Sequence, residues 1–529
     1  RIPPIHPLAP HTPLPILLIR HRALELATLR AAHARLGPVI QLAPAEISVN
    51  CVVGGIREIY GGGWEKGCRE GEGWYAFFAN YGGTPNMFST SRNKPHAARK
   101  RLLSNIYSKS AITTSPALLA QTSSILYSRF LPSLSSTFDT SPSPSSSSSS
   151  SPSSSSDSAS PGTLNIIPLL SAATMDIVTA YIFGLASSSN LLRNARELAW
   201  FLDLYNSRRS FNFWPQELPR LTAFARKWFG YKFVPDWVGE ANGEIEAWTK
   251  AMCDGAARVL EQQQKQQGAV AVAVADTPVV YQQLAAGLAK EASKTERSAP
   301  QNADADADAA VALASEVLDH LAAGFDTSGI TLTYAIHELS QHPTLQSRLQ
   351  HELATLSPRL TASSAPALPA PKAVDALPLL HAVVWETLRL HSAIPGPQPR
   401  WTPPQGCRLG PELQYHVPGG VRVSASAGLL HRNEDVYERA AEWRPERWLE
   451  RELVRVGAEK RKDMESRWFW AFGSGGRMCV GSHLAVYQMK YLLAALYTNY
   501  TTTIVDDTNI AQSDAYTAPP KTEKLLIRL

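Results

Sequence analysis

A long run without proline limits the fold of this chain more than any other feature. No proline occurs from Asp308 to Gln341, and Pro343 follows after His342. Proline removes a helical N–H and clashes with the preceding turn, so its absence here predicts one helix of about 34 residues, or roughly 50 Å at 1.5 Å per residue. A helix of that length spans a whole domain. Inside it lies "AAGFDTSG", 322 to 329, where Gly324, Asp326, Thr327, Ser328 and Gly329 interrupt an Ala/Leu-rich pattern with poor helix formers. Two readings fit. One is a polar turn with a glycine-tolerant crossing against a neighbour. The other is a local widening, in which the Thr327 hydroxyl leaves its i−4 carbonyl and faces a buried pocket with Asp326 behind it. An acid beside an alcohol suits proton delivery.

The rest of the chain reads as helical with few strands. "GPVIQLAPAEISVN", 37 to 50, alternates apolar positions about a proline-containing turn and predicts a β-hairpin. Residues 140–162 are almost wholly serine and proline, too poor in apolar groups to offset their ordering entropy, and read as a disordered insertion. Residues 263–309 mix a glutamine run with "AVAVAVA" and "ADADADA" and read as a loosely ordered, variable connection. The first fifteen residues, "RIPPIHPLAPHTPLP", are too proline-rich for a helix, and the apolar run "ILLI" at 16–19 is far short of the ~20 residues of a membrane span.

Charge and cysteine usage narrow the chemistry. A net charge of +5 on 529 residues, with no long basic run, gives nucleic acid binding no electrostatic footprint. The cysteines are Cys51, Cys68, Cys253, Cys407 and Cys479, an odd number with no C-x-x-C pair. That pattern excludes a disulfide framework and gives no structural zinc signature.

Two further stretches carry candidate functional groups. In "VVWETLRLH", 383 to 391, Glu386 and Arg389 stand three apart on one helical face among Val383, Val384, Leu388 and Leu390. A buried pair of that kind needs a third partner, and Arg447 in "EWRPERWLE", 442 to 450, is the candidate. The second stretch is "WAFGSGGRMCVG", 470 to 481, where glycines surround a single cysteine ahead of a helical segment. It lacks the Lys-Ser or Lys-Thr of a phosphate loop. Zinc could use Cys479 and His483, but no second ligand pair follows at comparable spacing. A cysteine nucleophile with a distant histidine stays open. The remaining option is a thiolate ligand of haem iron, with glycines letting backbone N–H groups approach the sulfur. Arg477 would then pair with a carboxylate at the ligand's edge, and Phe472 would screen the thiolate from water.

Phe472, Gly475, Arg477, Cys479 and Gly481 occupy all five fixed positions of the haem-ligand signature F-x-x-G-x-R-x-C-x-G, and the chain thereby resembles the cytochrome P450 family of haem-thiolate monooxygenases. "AGFDTS" at 323–328 is similar to that family's oxygen-activation motif, "ETLR" at 386–389 to its E-x-x-R pair, and "RPERW" at 444–448 to its P-E-R-F segment, in the family's order. The resemblance implies a mainly α fold with small β-sheets (α+β), a triangular helical prism whose long central helix crosses the haem, built as one catalytic domain over 1–529. It implies haem b held by Cys479 as the metal ligand. Cofactor contacts would come from Phe472, Gly473, Arg477, Gly481, Arg400, His96, Lys100 and Ala323. Asp326 and Thr327 would be the catalytic proton relay, and Glu386, Arg389 and Arg447 a structural triad. The family usually places a Trp or His four residues before an Arg as a propionate pair. Here His96 and Lys100 stand in those positions, with Arg99 and Arg101 on either side; lysine lacks the bidentate fork, so the neighbouring arginines stay open as propionate partners.

The implied function is an oxidoreductase that hydroxylates or epoxidises a small apolar organic molecule with O2, using electrons from NADPH through a cytochrome P450 reductase. The style resembles filamentous-fungal members of secondary metabolism. A haem-thiolate enzyme that rearranges a peroxide or couples phenols without net monooxygenation is the alternative, and a non-catalytic haem sensor a third reading. The proline-rich start resembles the hinge after the N-terminal anchor of microsomal members. It implies an endoplasmic reticulum membrane protein facing the cytosol, with the anchor outside this chain. Substrate contacts would come from "WYAFFANYGG" at 74–83, from 200–215, from Ala322 and Ala323, from Ala393 to Gly396, and from "YTAP" near the C-terminus.

Overall fold

The computed structural model describes residues 1–67, 73–135, 163–265, 273–296 and 304–529. Its longer helices are α1 (Asn93–Leu103), α2 (Ile166–Phe183), α3 (Ala195–Ser207), α4 (Pro219–Phe229), α5 (Asp236–Lys265), α6 (Val279–Glu296), α7 (Asp304–Gln341), α8 (Pro343–Leu353), α9 (Pro378–Leu390) and α10 (Ser482–Asn499). The predicted central helix is α7, which starts four residues earlier than expected and ends where Pro343 opens α8. Around it pack α2, α5, α6, α9 and α10.

The α2–α7 crossing is the most extensive helix–helix contact in the described core, and one glycine allows it. A Cβ at Gly324 would lie 2.8 Å from Val178 Cγ2 of α2, so any side chain there would push the two helices apart. Leu170, Met175, Ile177 and Phe183 of α2 and Leu321, Phe325 and Leu332 of α7 fill the same buried cluster. The chain's own length of apolar sequence in α2 would suit a membrane span, yet most of that helix is buried in this core.

Among the described residues, three small sheets complete the architecture. The predicted hairpin forms as β1 (Val39–Ala43) and β2 (Glu46–Val49), antiparallel, with Ile40 opposite Ser48. A short strand β3 (Thr163–Asn165) precedes α2. Later come β4 (Arg400–Trp401), β5 (Cys407–Leu409), β6 (Tyr415–Val417), β7 (Arg422–Ser424), β8 (Thr503–Asp506) and β9 (Leu526–Arg528). The first sheet runs β1–β2–β7–β4, the second β3–β9–β8, and β5 pairs with β6. The α+β class expected from the resemblance is therefore the observed one.

Two expectations need correction. Within 263–309, residues 279–296 are not a loose connection but helix α6, packed against α1, α2 and α7. Its buried positions, Val280 and Leu284, are four apart, a stripe too narrow to stand out from the low-complexity sequence on both sides. Residues 266–272 and 297–303 of that stretch, and the Ser/Pro tract at 140–162, lie outside the described residues. At the N-terminus a short helix begins at Leu14, inside the stretch expected to be non-helical, because Pro15 falls in its first turn, where no N–H is needed.

Candidate functional site

Cys479 lies at the floor of a cavity of about 1680 Å³. That exceeds the ~300–1,000 Å³ of a pocket for one small molecule, so a prosthetic group and a substrate both fit. The loop before the cysteine is shaped by contacts to its own backbone: Cys479 N–H donates to Phe472 O at 3.0 Å and Met478 N–H to Gly475 O at 3.1 Å. Gly475 has φ +70°, and a Cβ there would meet the Tyr60 carbonyl oxygen at 2.1 Å, so the loop requires glycine at this point. The close approach that glycine permits at 475 is thus to backbone around Tyr60, while Gly473 and Gly481 line the cavity. Helix α10 begins just past the cysteine, and the N–H groups of Gly481 and Ser482 are directed at the sulfur. Enclosure by protein pushes the thiol pKa up, while those N–H groups and Lys100 oppose the rise. The sulfur is accessible from the cavity only because it faces it, which makes it reachable and desolvated together.

One edge of the cavity is basic. His96, Lys100, Arg400 and Arg477, all expected to hold carboxylates, line it together with Lys66, which the sequence reading missed. Arg400 is buried, donates to Tyr75 Oη at 2.7 Å and sits over the Tyr60 ring at 4.9 Å. Arg477 donates to Thr90 O, Ser91 O and Asn93 Oδ1 at 2.6 to 3.2 Å. Lys100 donates to Gly476 O and Met478 O, both at 2.9 Å, and so ties α1 to the cysteine loop. His96 is pushed down to about 3, first by burial and then by Arg477, Lys66, Lys100 and Arg400, and is neutral at ordinary pH.

Across the cavity, α7 presents Ala322, Ala323, Gly324, Thr327 and Ser328. The helix is uninterrupted here, and the Thr327 hydroxyl donates to Ala323 O at 2.7 Å. The expected release from the i−4 carbonyl is therefore not present; back-bonding satisfies the hydroxyl proton and leaves its oxygen lone pairs toward the cavity. The polar cluster in this part of α7 is met from two neighbours: Gln488 Nε2 of α10 donates to Gly324 O at 3.0 Å and Ser328 Oγ at 2.6 Å, and Thr174 Oγ1 of α2 donates to Phe325 O at 3.1 Å. Asp326 is buried behind Thr327 and pairs with Arg209 Nη2 at 2.8 Å. Arg209, another residue the sequence reading did not single out, also donates to Thr517 Oγ1 at 2.9 Å. Phe78, Phe88, Phe201, Tyr205, Ile394 and Tyr516 give the remaining walls an apolar, aromatic character. Each segment expected to supply substrate contacts reaches this cavity.

The expected triad is fully buried. Glu386 Oε1 accepts from Arg389 Nη2 at 2.7 Å and from Arg447 Nε at 2.9 Å. Oε1 also accepts from Arg444 N at 2.8 Å, and Oε2 accepts from Trp448 Nε1 at 2.8 Å, so the aromatic residue in "PERW" is a hydrogen-bond donor to the triad. Arg389 continues to the carbonyls of His431, Ala440 and Glu442. His431 then reaches the cysteine loop, accepting at Nε2 from Trp470 N at 2.7 Å while Nδ1 faces Arg389 O at 2.9 Å. Burial and then Arg389 push His431 down to about 3, so it stays neutral with the proton on Nδ1. His431 carries no motif of its own, and only the fold reveals it as the strut between triad and loop.

Residues 289–527 match the family model described as Cytochrome P450. Among curated proteins, cytochrome P450 monooxygenase avaI of Aspergillus versicolor is 25% identical over 409 residues, covering 77% of this chain and 81% of its own length. Cytochrome P450 monooxygenase hkm5 of Aspergillus hancockii is 31% identical over 211 residues, 40% of this chain and 38% of its own length. Cytochrome P450 monooxygenase tazI of Aspergillus terreus is 32% identical over 214 residues, 39% and 40% respectively. The match therefore spans about two fifths of the length of the latter two relatives.

Proposed function

We propose that this chain, which belongs to the cytochrome P450 family, is a haem-thiolate monooxygenase that inserts one oxygen atom of O2 into a small apolar molecule of secondary metabolism. The carrying observation is the cavity itself. Its floor offers one cysteine sulfur with N–H groups of Gly481 and Ser482 aimed at it, and one edge is basic. The opposite wall is the helix that carries Thr327. That donor set fits haem b: a thiolate for the iron, cations for the propionates and apolar walls for the ring.

Haem ligated by Cys479 supplies oxygen activation, with two electrons from NADPH through a reductase. The chain's own residues do the rest. Gly481 and Ser482 N–H groups stabilise negative charge on the sulfur. Thr327, its hydroxyl proton held by Ala323 O, would offer its oxygen lone pairs to a water in the cavity and so hold a proton at the wall opposite Cys479. Asp326, which stands behind Thr327 and pairs with Arg209, is the group that replenishes that proton, and its carboxylate turns toward the relay when that pair opens. The aromatic walls exclude water from the reacting centre.

Reconstituted with a reductase and a substrate that shifts the haem spin state, the wild-type protein should form NADPH-dependent product carrying one atom of labelled O2. Thr327→Ala should consume NADPH at a comparable rate but release peroxide in place of most of the product. Unchanged coupling would remove Thr327 from the relay, and product lacking the label would favour rearrangement or phenol coupling.

The proposed location is the cytosolic face of the endoplasmic reticulum membrane. Phe224, Trp228 and Phe229 of α4, with Tyr231, are exposed beside Arg226 and Lys227. The short helix Leu14–His21, with Leu14 and Leu18 exposed, packs on the adjoining short helix Phe213–Glu217. An apolar face ringed by cations suits an anionic lipid surface. Phe224→Ser, Trp228→Ser and Phe229→Ser together should reduce sedimentation with phosphatidylcholine–phosphatidylserine vesicles severalfold; equal binding would exclude this face.

A further inference from the structure

Lys66 is a buried lysine with no ion-pair partner among the described residues. It is 4% exposed. Its ammonium has three donors, of which one is directed at Phe88 O at 2.7 Å. The rings of Tyr75 and Phe88 lie 4.0 and 3.7 Å from it. Among the described residues no carboxylate lies within ion-pair distance of Lys66, Lys100 or Arg400. The Lys66 pKa is well below its usual value, through burial first and then the charges of Arg400 and Arg477. Asp319, which opposes that shift weakly, is itself pushed up to about 7, mainly by burial. An isolated buried ammonium is costly, and such a group is retained where a counter-charge arrives.

The backbone fixes where that counter-charge must be. Glu65 O accepts from Trp401 N at 3.0 Å, so the chain at 65–66 is stitched to β4, beside Arg400. Lys66 N donates to Ser91 O at 3.1 Å, the carbonyl that also accepts from Arg477 Nη2 at 2.9 Å. Lys66 is thus built into the junction between the two arginines expected to hold propionates, and its side chain lines the cavity that Cys479 floors. On the α1 side, Lys100 has already directed two bonds to Gly476 O and Met478 O, leaving at most one donor for a ligand. Where the family pattern has a five-donor arginine, this chain therefore offers little.

We infer that Lys66 is a carboxylate anchor for the propionate edge of the bound haem, supplementing the single charge-assisted contact left to Lys100. The inference rests on the proposed haem-thiolate reading. The propionate draws the ammonium from its cation–π position toward the cavity and restores its full charge. Burial keeps water from competing, so this one contact weighs more than an exposed lysine would.

The test is haem retention, which is read without turnover. Haem transfer from the purified full-length protein to excess haem-free myoglobin should be about tenfold faster in Lys66→Met, the loss of one charge-assisted hydrogen bond. Lys66→Arg should stay near the wild-type rate, and Lys66→Gln should resemble Lys66→Met. The same proteins loaded with iron protoporphyrin dimethyl ester, which has no ionised propionates, should show no difference between wild type and Lys66→Met. Equal transfer rates with ordinary haem overturn the inference. A rate difference that persists with the ester also overturns it, because the effect is then one of packing. Should Lys66→Met instead lose a spin-state response to carboxylate-bearing substrates while holding haem normally, Lys66 anchors the substrate and the propionate assignment fails. A wild-type protein that takes up no haem defeats the haem-thiolate reading itself, a result distinct from all of these.

Discussion

Cys479→Ser protein is expected to lose the thiolate-type Soret band of the reduced carbon monoxide complex and all NADPH-dependent product formation, while its far-ultraviolet circular dichroism stays close to wild type. Apart from the Gly481 and Ser482 N–H groups aimed at the sulfur, which a serine oxygen can also accept, the loop is held by Cys479 N–H to Phe472 O, by Lys100 to two carbonyls and by the fit of Gly475 against Tyr60. A serine can occupy that backbone unchanged. Its hydroxyl cannot replace the ligand, because an alkoxide lacks the low pKa and polarisable charge of a thiolate. No other described cysteine can substitute. Cys51 and Cys253 are buried, with burial pushing each thiol up to about 12, and Cys407 is half-buried in β5 at about 11. Cys407→Ser is therefore the matched control and should keep the band in full. A thiolate band retained in Cys479→Ser would show that another group ligates the iron and would unseat the proposed site.

How far this site could be seen in the sequence depends on how local each part is. The cysteine loop is determined over ten residues, since backbone N–H groups within three positions of the sulfur must reach it, so its signature is contiguous. The central helix was legible for a similar reason: proline-free length is a local property. Glu386 and Arg389 are also close in sequence, and Arg447 follows from the need of a buried pair for a third partner. The basic edge is different. Lys66, His96, Arg400 and Arg477 come from four separate segments, and Lys66 gains its place from the pairing of Glu65 with Trp401 across 336 positions of chain. No periodicity marks it. Arg209 is in the same position, because its meaning lies wholly in Asp326 of another helix. Helix α6 was missed because two buried positions are a weak stripe against a repetitive background. Thr327 shows the converse limit: its residue type was informative, but its hydrogen bond to Ala323 O reflects a preference of threonine in any helix.

The second large effect is structural. Glu386→Ala is expected to collapse the yield of folded, haem-loaded protein. Arg389 has five N–H donors, and all five are used: two on Glu386 and three on the carbonyls of His431, Ala440 and Glu442. Removing the carboxylate leaves Arg389, with no exposed side-chain surface, and Arg447 as uncompensated buried cations, a change worth about 3–5 kcal/mol. Trp448 Nε1 and Arg444 N lose their acceptor as well, at about 1–3 kcal/mol for each buried donor left unpaired. Against a total stability of about 5–15 kcal/mol, little remains. The damage also has a direction. Arg389 orders the carbonyl of His431, and His431 holds Trp470 N at the entry to the cysteine loop, so loosening the triad frees the loop that must present the sulfur. His431→Phe separates the two contributions: it keeps the buried ring but deletes the acceptor for Trp470, leaving Glu386 and both arginines intact. That variant should fold in good yield yet release haem faster than wild type, whereas Glu386→Ala should fail at folding itself, as read by soluble yield and thermal melting. Normal folding of Glu386→Ala would mean that the arginines find other partners and that the triad is not what supports the loop. Wild-type haem release in His431→Phe would place the support elsewhere than in this strut.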